Sequence, residues 1–350
     1  MSWKVNSAPI FRTSLIKPVA FLCQLAQSKR QPESLGRKRC GVVHRRECFS
    51  LKSEHQARLF NMQPPDSEVI RAIILGVVQG VAEFLPISSS GHLVIVDKLM
   101  EETTGHGFGA SGLALNVALH VGSLFSILLV FWREILALRH QPRTCGLIVL
   151  ASVPVAVAGL ALEDTIASAF SEPLLPAFAL FFTAALLLIG QRLEDGSEQV
   201  ERMSWLKACV IGLFQAVAII PGVSRSGSTI AGGMLLGLDR TAAARFSFLL
   251  AIPPIAGAGL LKFIELRHNV EPTISFGAML AGSFTSFVVG YLALNWLLKL
   301  ISQRQLHRFA AYCIVVGIAT IIWRLPVVMS DQKGPATVVE LDDVLPDHSH

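Results

Sequence analysis

The chain has 350 residues, of which 52% are hydrophobic and 16% charged, with a formal net charge of +5. A soluble globular protein carries about 25% charged residues, so these proportions and a mean hydropathy of +0.55 exclude a soluble domain and leave a polytopic membrane protein. The positive charge gives no reason to expect nucleic acid as a partner, because residues 1–62 hold 12 Lys and Arg against 3 Asp and Glu, and the remainder is net −4.

Residues 1–61 are Arg- and Ser-rich and acid-poor, with basic clusters at Arg37-Lys38-Arg39 and Arg45-Arg46. The apolar patch from Pro18 to Leu25 is short and no small-residue cleavage site follows it, so it does not read as a secretory signal. Two readings fit: a transit-like or disordered extension, or translation counted from too far upstream, with Met62 as the working start. The second is favoured by the topology below. Cys23, Cys40, Cys48, Cys145, Cys209 and Cys313 show no zinc-type spacing, and the last three read as small packing residues within apolar runs.

From residue 72 onward apolar runs follow one another with short polar joints. Ala72 to Val96 is broken by Pro86 and Ser88-Ser89-Ser90-Gly91, and then come Phe108 to Trp132, Cys145 to Leu162 and Pro173 to Gln191. Ala208 to Leu238 is broken by Pro221-Gly222 and a Ser/Arg cluster, and then come Phe246 to Leu261, Pro272 to Leu298 and Phe309 to Trp323. The unbroken runs are near the ~20 residues that a helix needs to cross the hydrocarbon core. A broken run of this length predicts a re-entrant hairpin, helix in and helix out, whose turn is buried in protein or faces water.

The two broken runs are copies. Sliding the chain by 136 positions lays Gly212–Ser228 over Gly76–His92 with seven identities in 17 positions, the mark of an internal duplication. Three spans separate the copies, an odd number, so the second hairpin enters from the opposite face and the tips meet at midplane. The predicted fold is therefore an all-α polytopic membrane protein, an inverted repeat in which each half is one re-entrant hairpin plus three transmembrane helices. Repeat one covers about 68–191 and repeat two about 205–325, within a membrane domain at 62–325. Residues 326–350, acidic at Glu340-Leu341-Asp342-Asp343, read as a disordered tail.

Lys and Arg in the joints give the orientation. Joints 133–144, 192–207, 239–245 and 299–308 hold eleven and the opposite side holds six, which makes the first side cytoplasmic and puts both termini outside. An Arg-rich extension would then have to be translocated, which favours Met62.

Ionised groups at bilayer depth are functional-site candidates, and Glu83 of the first copy and Arg225 of the second are two of them. The plain alternative is a buried ion pair that locks the repeats together. Serine-rich turns ahead of apolar helices gather free N–H groups and hydroxyls where the helix dipole is positive. Arg225 offers a bidentate fork, so the pair suits a diphosphate. His92 beside Glu83 and Ser89 is either a packed histidine or a proton-transfer group. Gln79 shares a helix face with Glu83, where the two would hold a hard divalent cation, Mg or Ca. The plain alternative for Gln79, as for Gln215, is an interhelical hydrogen bond. His120 reads as structural.

Gln79-Gly80-Val81-Ala82-Glu83-Phe84-Leu85-Pro86, Ser88-Ser89-Ser90-Gly91-His92-Leu93 and Pro221-Gly222-Val223-Ser224-Arg225-Ser226-Gly227-Ser228-Thr229 together resemble the undecaprenyl-diphosphatase family, also called bacitracin-resistance proteins. The resemblance covers about Ser67 to Leu325. It implies a multi-pass enzyme of the bacterial inner membrane that hydrolyses undecaprenyl diphosphate to the monophosphate carrier of peptidoglycan synthesis, conferring bacitracin resistance. It places the family's E/Q-x-x-x-E motif on Gln79 and Glu83, its active-site serine on Ser89 and its histidine on His92. Its Pro-Gly-x-Ser-Arg-Ser-x-x-Thr motif falls on Pro221 to Thr229. Glu, the frequent first residue of the acidic motif, is replaced here by Gln79, one negative ligand fewer.

The expected division of labour follows from both lines. Ser88, Ser90, Ser224, Ser226 and Thr229 bind the diphosphate with Arg225, which also stabilises charge developing on the phosphate. Glu83 is a base or metal ligand, Ser89 the nucleophile or the group that orients water, and His92 a proton relay. The expected partners are a polyprenyl diphosphate lipid, the bilayer and a second copy of the chain. The rival from another class is a transporter or flippase of a polyprenyl phosphate lipid, since inverted repeats with broken helices also build secondary transporters. A membrane scaffold leaves two ionisable groups at depth without a purpose.

Overall fold

The computed structural model describes residues 65–105, 112–162, 165, 168, 169, 172–192, 196–268 and 274–331. The expectations for residues 1–61 and most of the tail lie outside them. The first break is flanked by α1 (Pro65–Phe84) and α2 (Ser89–Thr104), followed by α3 (Gly112–Val130), a short α4 (Trp132–Leu138), α5 (Pro142–Ala161) and α6 (Leu174–Arg192). The second break is flanked by α7 (Trp205–Val217) and α8 (Arg225–Leu235), followed by α9 (Arg240–His268), α10 (Phe276–Ser302) and α11 (Leu306–Asp331). At about 1.5 Å per residue, the 13 residues of α7 and the 11 of α8 are too short to cross a core about 30 Å thick. Among the described residues five helices are long and apolar enough to span, and Ala114–Val130 with Trp132–Leu138 makes a sixth, so one hairpin plus three spans occurs twice.

The packing has the symmetry of the duplication. α1 packs on α10, and its counterpart α7 packs on α5; α3 meets α10 as α9 meets α5. α3 with α9 and α6 with α11 pair across the repeats. Each hairpin thus leans on the middle span of the other half, so neither repeat is complete alone. Small residues make this approach possible. A Cβ on Gly76 would lie 2.5 Å from the Gly282 carbonyl oxygen, and one on its counterpart Gly212 would lie 2.5 Å from that of Ala151. Gly76→Val is therefore expected to lower stability by roughly 1–3 kcal/mol, the range for overpacking, read as an earlier melt of purified protein in detergent.

Three spans differ from expectation. The run from Phe108 to Trp132 is not one straight helix: it turns by 78° between Val130 and Trp132. Trp132, half exposed, and Arg133, whose guanidinium lies 5.2 Å from the Trp132 ring centroid, have the chemistry of a membrane interface, so the chain leaves the bilayer direction there. The short runs Phe246–Leu261 and Phe309–Trp323 extend to 29 and 26 residues as α9 and α11, because helices continue into the interface beyond their apolar stretch. α9 carries Pro253 and Pro254 inside, tolerated because neighbouring helices can satisfy the freed carbonyls.

Outward faces such as Val149, Val153 and Leu160 of α5, Phe284 and Leu292 of α10 and Val315 and Ile322 of α11 are exposed and apolar, as lipid contact requires. The buried cluster inside includes Phe84, Leu85 and Ile87 of the first tip with Phe248 of α9, Leu294 of α10 and Ile230 of α8. Phe84 meets Phe248 edge-on at 6.0 Å. The first turn is thus clamped in the core.

Candidate active site

The two tips are built alike. Ser88 caps α2 by accepting from the Gly91 amide at 3.3 Å, and Ser224 caps α8 by accepting from the Gly227 amide at 3.1 Å. Such caps leave the remaining first-turn amides available. The tips also touch. A Cβ on Gly91 would lie 2.9 Å from Gly222 Cα, and the Ser226 hydroxyl donates to the Leu85 carbonyl at 3.3 Å. Gly222 has φ 96° and lies so close to Pro176 that a Cβ would come within 2.3 Å of its carbonyl oxygen. Only glycine fits that turn. Thr183 of α6 fastens it, donating to the Gly222 carbonyl and accepting from the Ser224 amide, both at 2.9 Å.

Everything converges on Glu83, which is 6% exposed. Its Oε1 accepts a charge-assisted hydrogen bond from the Arg225 guanidinium. Its Oε2 accepts from the Ser89 hydroxyl at 2.6 Å and from Gln79 Nε2 at 2.9 Å. Ser89 and Arg225 occupy the same slot in the two copies, the first position of each outbound helix. The two-fold relation therefore delivers one hydroxyl and one guanidinium to opposite oxygens of a single carboxylate.

His120, which nothing in the sequence places at the site, also reaches this carboxylate. Its Nδ1 lies 2.8 Å from the Asn116 carbonyl oxygen, and its Nε2 lies 3.4 Å from Glu83 Oε2. α3 carries no sequence motif, and only the packing of α3 beside α1 brings the ring here.

The remaining expected residues sort by what their polar atoms touch. Ser88 Oγ is 3.4 Å from Ser90 Oγ, and Ser224 Oγ is 3.2 Å from Ser226 Oγ. Thr229 is buried one turn deeper, donating to the Arg225 carbonyl at 2.8 Å and lying 2.5 Å from Ser247 Oγ, so it braces the arginine's backbone. His92 is buried with Nδ1 2.7 Å from the Ser88 carbonyl oxygen and Nε2 2.9 Å from the Tyr312 hydroxyl. Gln79 bonds within its own helix, and its Oε1 is buried without a partner among the described residues. Gln215 has neither polar side-chain atom paired among them, so the interhelical bond considered for it is not made. No group of three His, Cys, Asp or Glu placed to hold a metal occurs among the described residues. A carboxylate with an orphaned amide oxygen one turn away is nevertheless a donor set that suits a hard cation.

Comparison with known proteins identifies the family. Residues 72–319 match the family described as bacitracin resistance protein BacA. The chain is 42% identical over 260 residues to an undecaprenyl-diphosphatase of Rhodopirellula baltica, covering 74% of this chain and 99% of that protein. It is 39% identical over 279 residues to one of Methanosphaera stadtmanae, and 37% over 259 residues to one of Halothermothrix orenii, each covering 73% of this chain and 98% of the relative. The matched region runs from Ala72 within α1 to residue 319 within α11, and so contains both breaks and both serine-rich turns.

Proposed function

The chain belongs to the bacitracin resistance protein BacA family, and from that membership and the geometry of the facing tips we infer that it hydrolyses undecaprenyl diphosphate to undecaprenyl phosphate and inorganic phosphate. The observation that carries this reading is the meeting of Ser89 and Arg225 on the two oxygens of Glu83. A hydroxyl that donates to a carboxylate has a base in place, the arrangement of an activated nucleophile. A carrier of lipid phosphate needs anion donors but no such base.

The roles follow from position. Ser89 Oγ, or a water that it holds, attacks the terminal phosphorus, and Glu83 takes the proton of the attacking oxygen. Arg225 turns from Glu83 to the non-bridging phosphate oxygens, and first-turn amides of α2 and α8 complete an electropositive cradle. The bridging P–O bond breaks and undecaprenyl phosphate is the leaving group; where Ser89 itself attacks, water then hydrolyses the phosphoserine, which releases inorganic phosphate and restores the hydroxyl. Ser88, Ser90, Ser224 and Ser226 shape the two turns and line the approach to them, while Thr229 supports Arg225. The polyprenyl tail stays in lipid beside the spans.

Gln79 Oε1 and the Glu83 carboxylate would hold a divalent cation, Mg or Ca, with substrate phosphate oxygens completing its shell. Such an ion would neutralise phosphate charge during transfer. Gln79→Glu is accordingly expected to stay within about tenfold of full activity, since a base of the same reach is kept, and to need less divalent cation for half-maximal rate. A stably folded but inactive Gln79→Glu counts against the shared site.

The setting is a bacterial inner membrane with both termini outside the cytoplasm, the orientation that the eleven-to-six Lys/Arg bias favours. The direct test is phosphate release from undecaprenyl diphosphate by purified protein in detergent, with a divalent-ion titration. No release, together with lipid movement across liposomes, would make the protein a transporter instead.

A further inference from the structure

Ser88 is one of two described non-glycine residues with positive φ, at 71°, a conformation that L side chains rarely adopt and that persists only where surrounding contacts impose it. It is also the residue that turns the chain so that Ser89 meets Glu83. Its own Oγ caps α2, but a cap forms equally well from the ordinary extended conformation, as Ser224 does with φ −72° and ψ 119°. Something else must hold Ser88.

His92 does so twice: its backbone amide donates to the Ser88 carbonyl at 3.2 Å, as in any first helical turn, and its ring adds a second and shorter hold on the same oxygen. Its Nδ1 lies 2.7 Å from the Ser88 carbonyl oxygen. A carbonyl only accepts, so Nδ1 carries the hydrogen. In the neutral ring Nε2 is then an acceptor, and it faces the Tyr312 hydroxyl at 2.9 Å, which donates to it. The two rings lie nearly parallel, 5.5 Å between centroids and 11° between planes. Both ring nitrogens are therefore engaged away from Ser89, and the base at Ser89 is Glu83. The next residue on α11, Cys313, is buried with Sγ 3.8 Å from the Pro86 carbonyl oxygen, so α11 braces the same turn at two points.

We propose that Tyr312 is a positioning residue of the active site: through His92 it holds the Ser88 carbonyl, and thereby the strained turn that presents Ser89 to Glu83. It lies outside both serine motifs, on the last span of the opposite repeat, so the second half of the duplication fixes the nucleophile of the first. The role rests on the reading of Ser89 as a group that acts on substrate.

Tyr312→Phe removes one hydroxyl and keeps the ring, which is 43% exposed, so the fold is expected to stand. Loss of one neutral hydrogen bond corresponds to about three- to tenfold in rate. The expected result is a fall of that size in kcat for undecaprenyl diphosphate with KM within about twofold. In a His92→Ala background, where the link is already cut, Tyr312→Phe is expected to change nothing further. If His92→Ala does not fold, His92→Gln serves, since Gln lacks the ring that joins the two partners. Full kcat in Tyr312→Phe overturns the proposal, and so do effects of the two substitutions that multiply independently. Ser89→Ala is measured alongside: full activity there sinks the reading of the site itself, whatever Tyr312 does.

Discussion

Arg225→Ala is expected to reduce turnover of undecaprenyl diphosphate by at least a hundredfold, the loss that follows removal of one main donor to a developing oxyanion. Arg225→Lys keeps the charge but not the planar fork and should fall between that variant and the parent. The substitution has a second consequence. It leaves Glu83 buried beside Ser89, Gln79 and His120 without its guanidinium, and breaking one side of a buried pair costs about 3–5 kcal/mol. A loss of activity alone would thus be ambiguous between chemistry and stability. The double variant Glu83→Ala/Arg225→Ala separates them, because removing both charges leaves neither uncompensated. Stability is expected to recover and turnover is not. If the pair only locked the repeats together, activity would return with the fold; phosphate release and thermal melting of the three variants in detergent decide between the outcomes.

The duplication and the carboxylate–guanidinium pair are legible in the sequence because their signals are local. Apolar runs near twenty residues mark the spans, and Pro86, Pro221 and the serine clusters mark the breaks. The odd number of spans between the copies then turns the hairpins toward one another, and the complementary charges follow as partners. The rest depends on which helix faces lie together. Tyr312 is 220 positions from His92 and sits in a run that reads only as a span. His120 lies on α3, where a single histidine on an apolar helix gives no sign of its neighbour until α3 is packed beside α1. The bend after Val130 is invisible for another reason: it involves neither Pro nor Gly, and hydropathy continues across it into Phe131 and Trp132.

Glu83→Gln carries the other large effect and tests the division between base and cradle. The amide has the shape of the carboxylate but cannot take a proton, so kcat is expected to fall by about 10²–10⁴-fold, the contribution of a general base. Binding should move the other way. In the parent, phosphate must displace Glu83 from Arg225, whereas in the variant the guanidinium and the nearby His120 have no anion to leave. KM is therefore expected to fall together with kcat, and inorganic pyrophosphate should raise the melting temperature of Glu83→Gln more than that of the parent. This pairing separates Glu83 from a residue that merely holds the turn, since loosening the turn slows the reaction without freeing Arg225. A Glu83→Gln protein that keeps more than a tenth of the parent kcat would remove the carboxylate from the chemistry. One with lost activity and unchanged affinity for pyrophosphate would show that Arg225 was never competed for, and the anion would have to bind elsewhere between the tips.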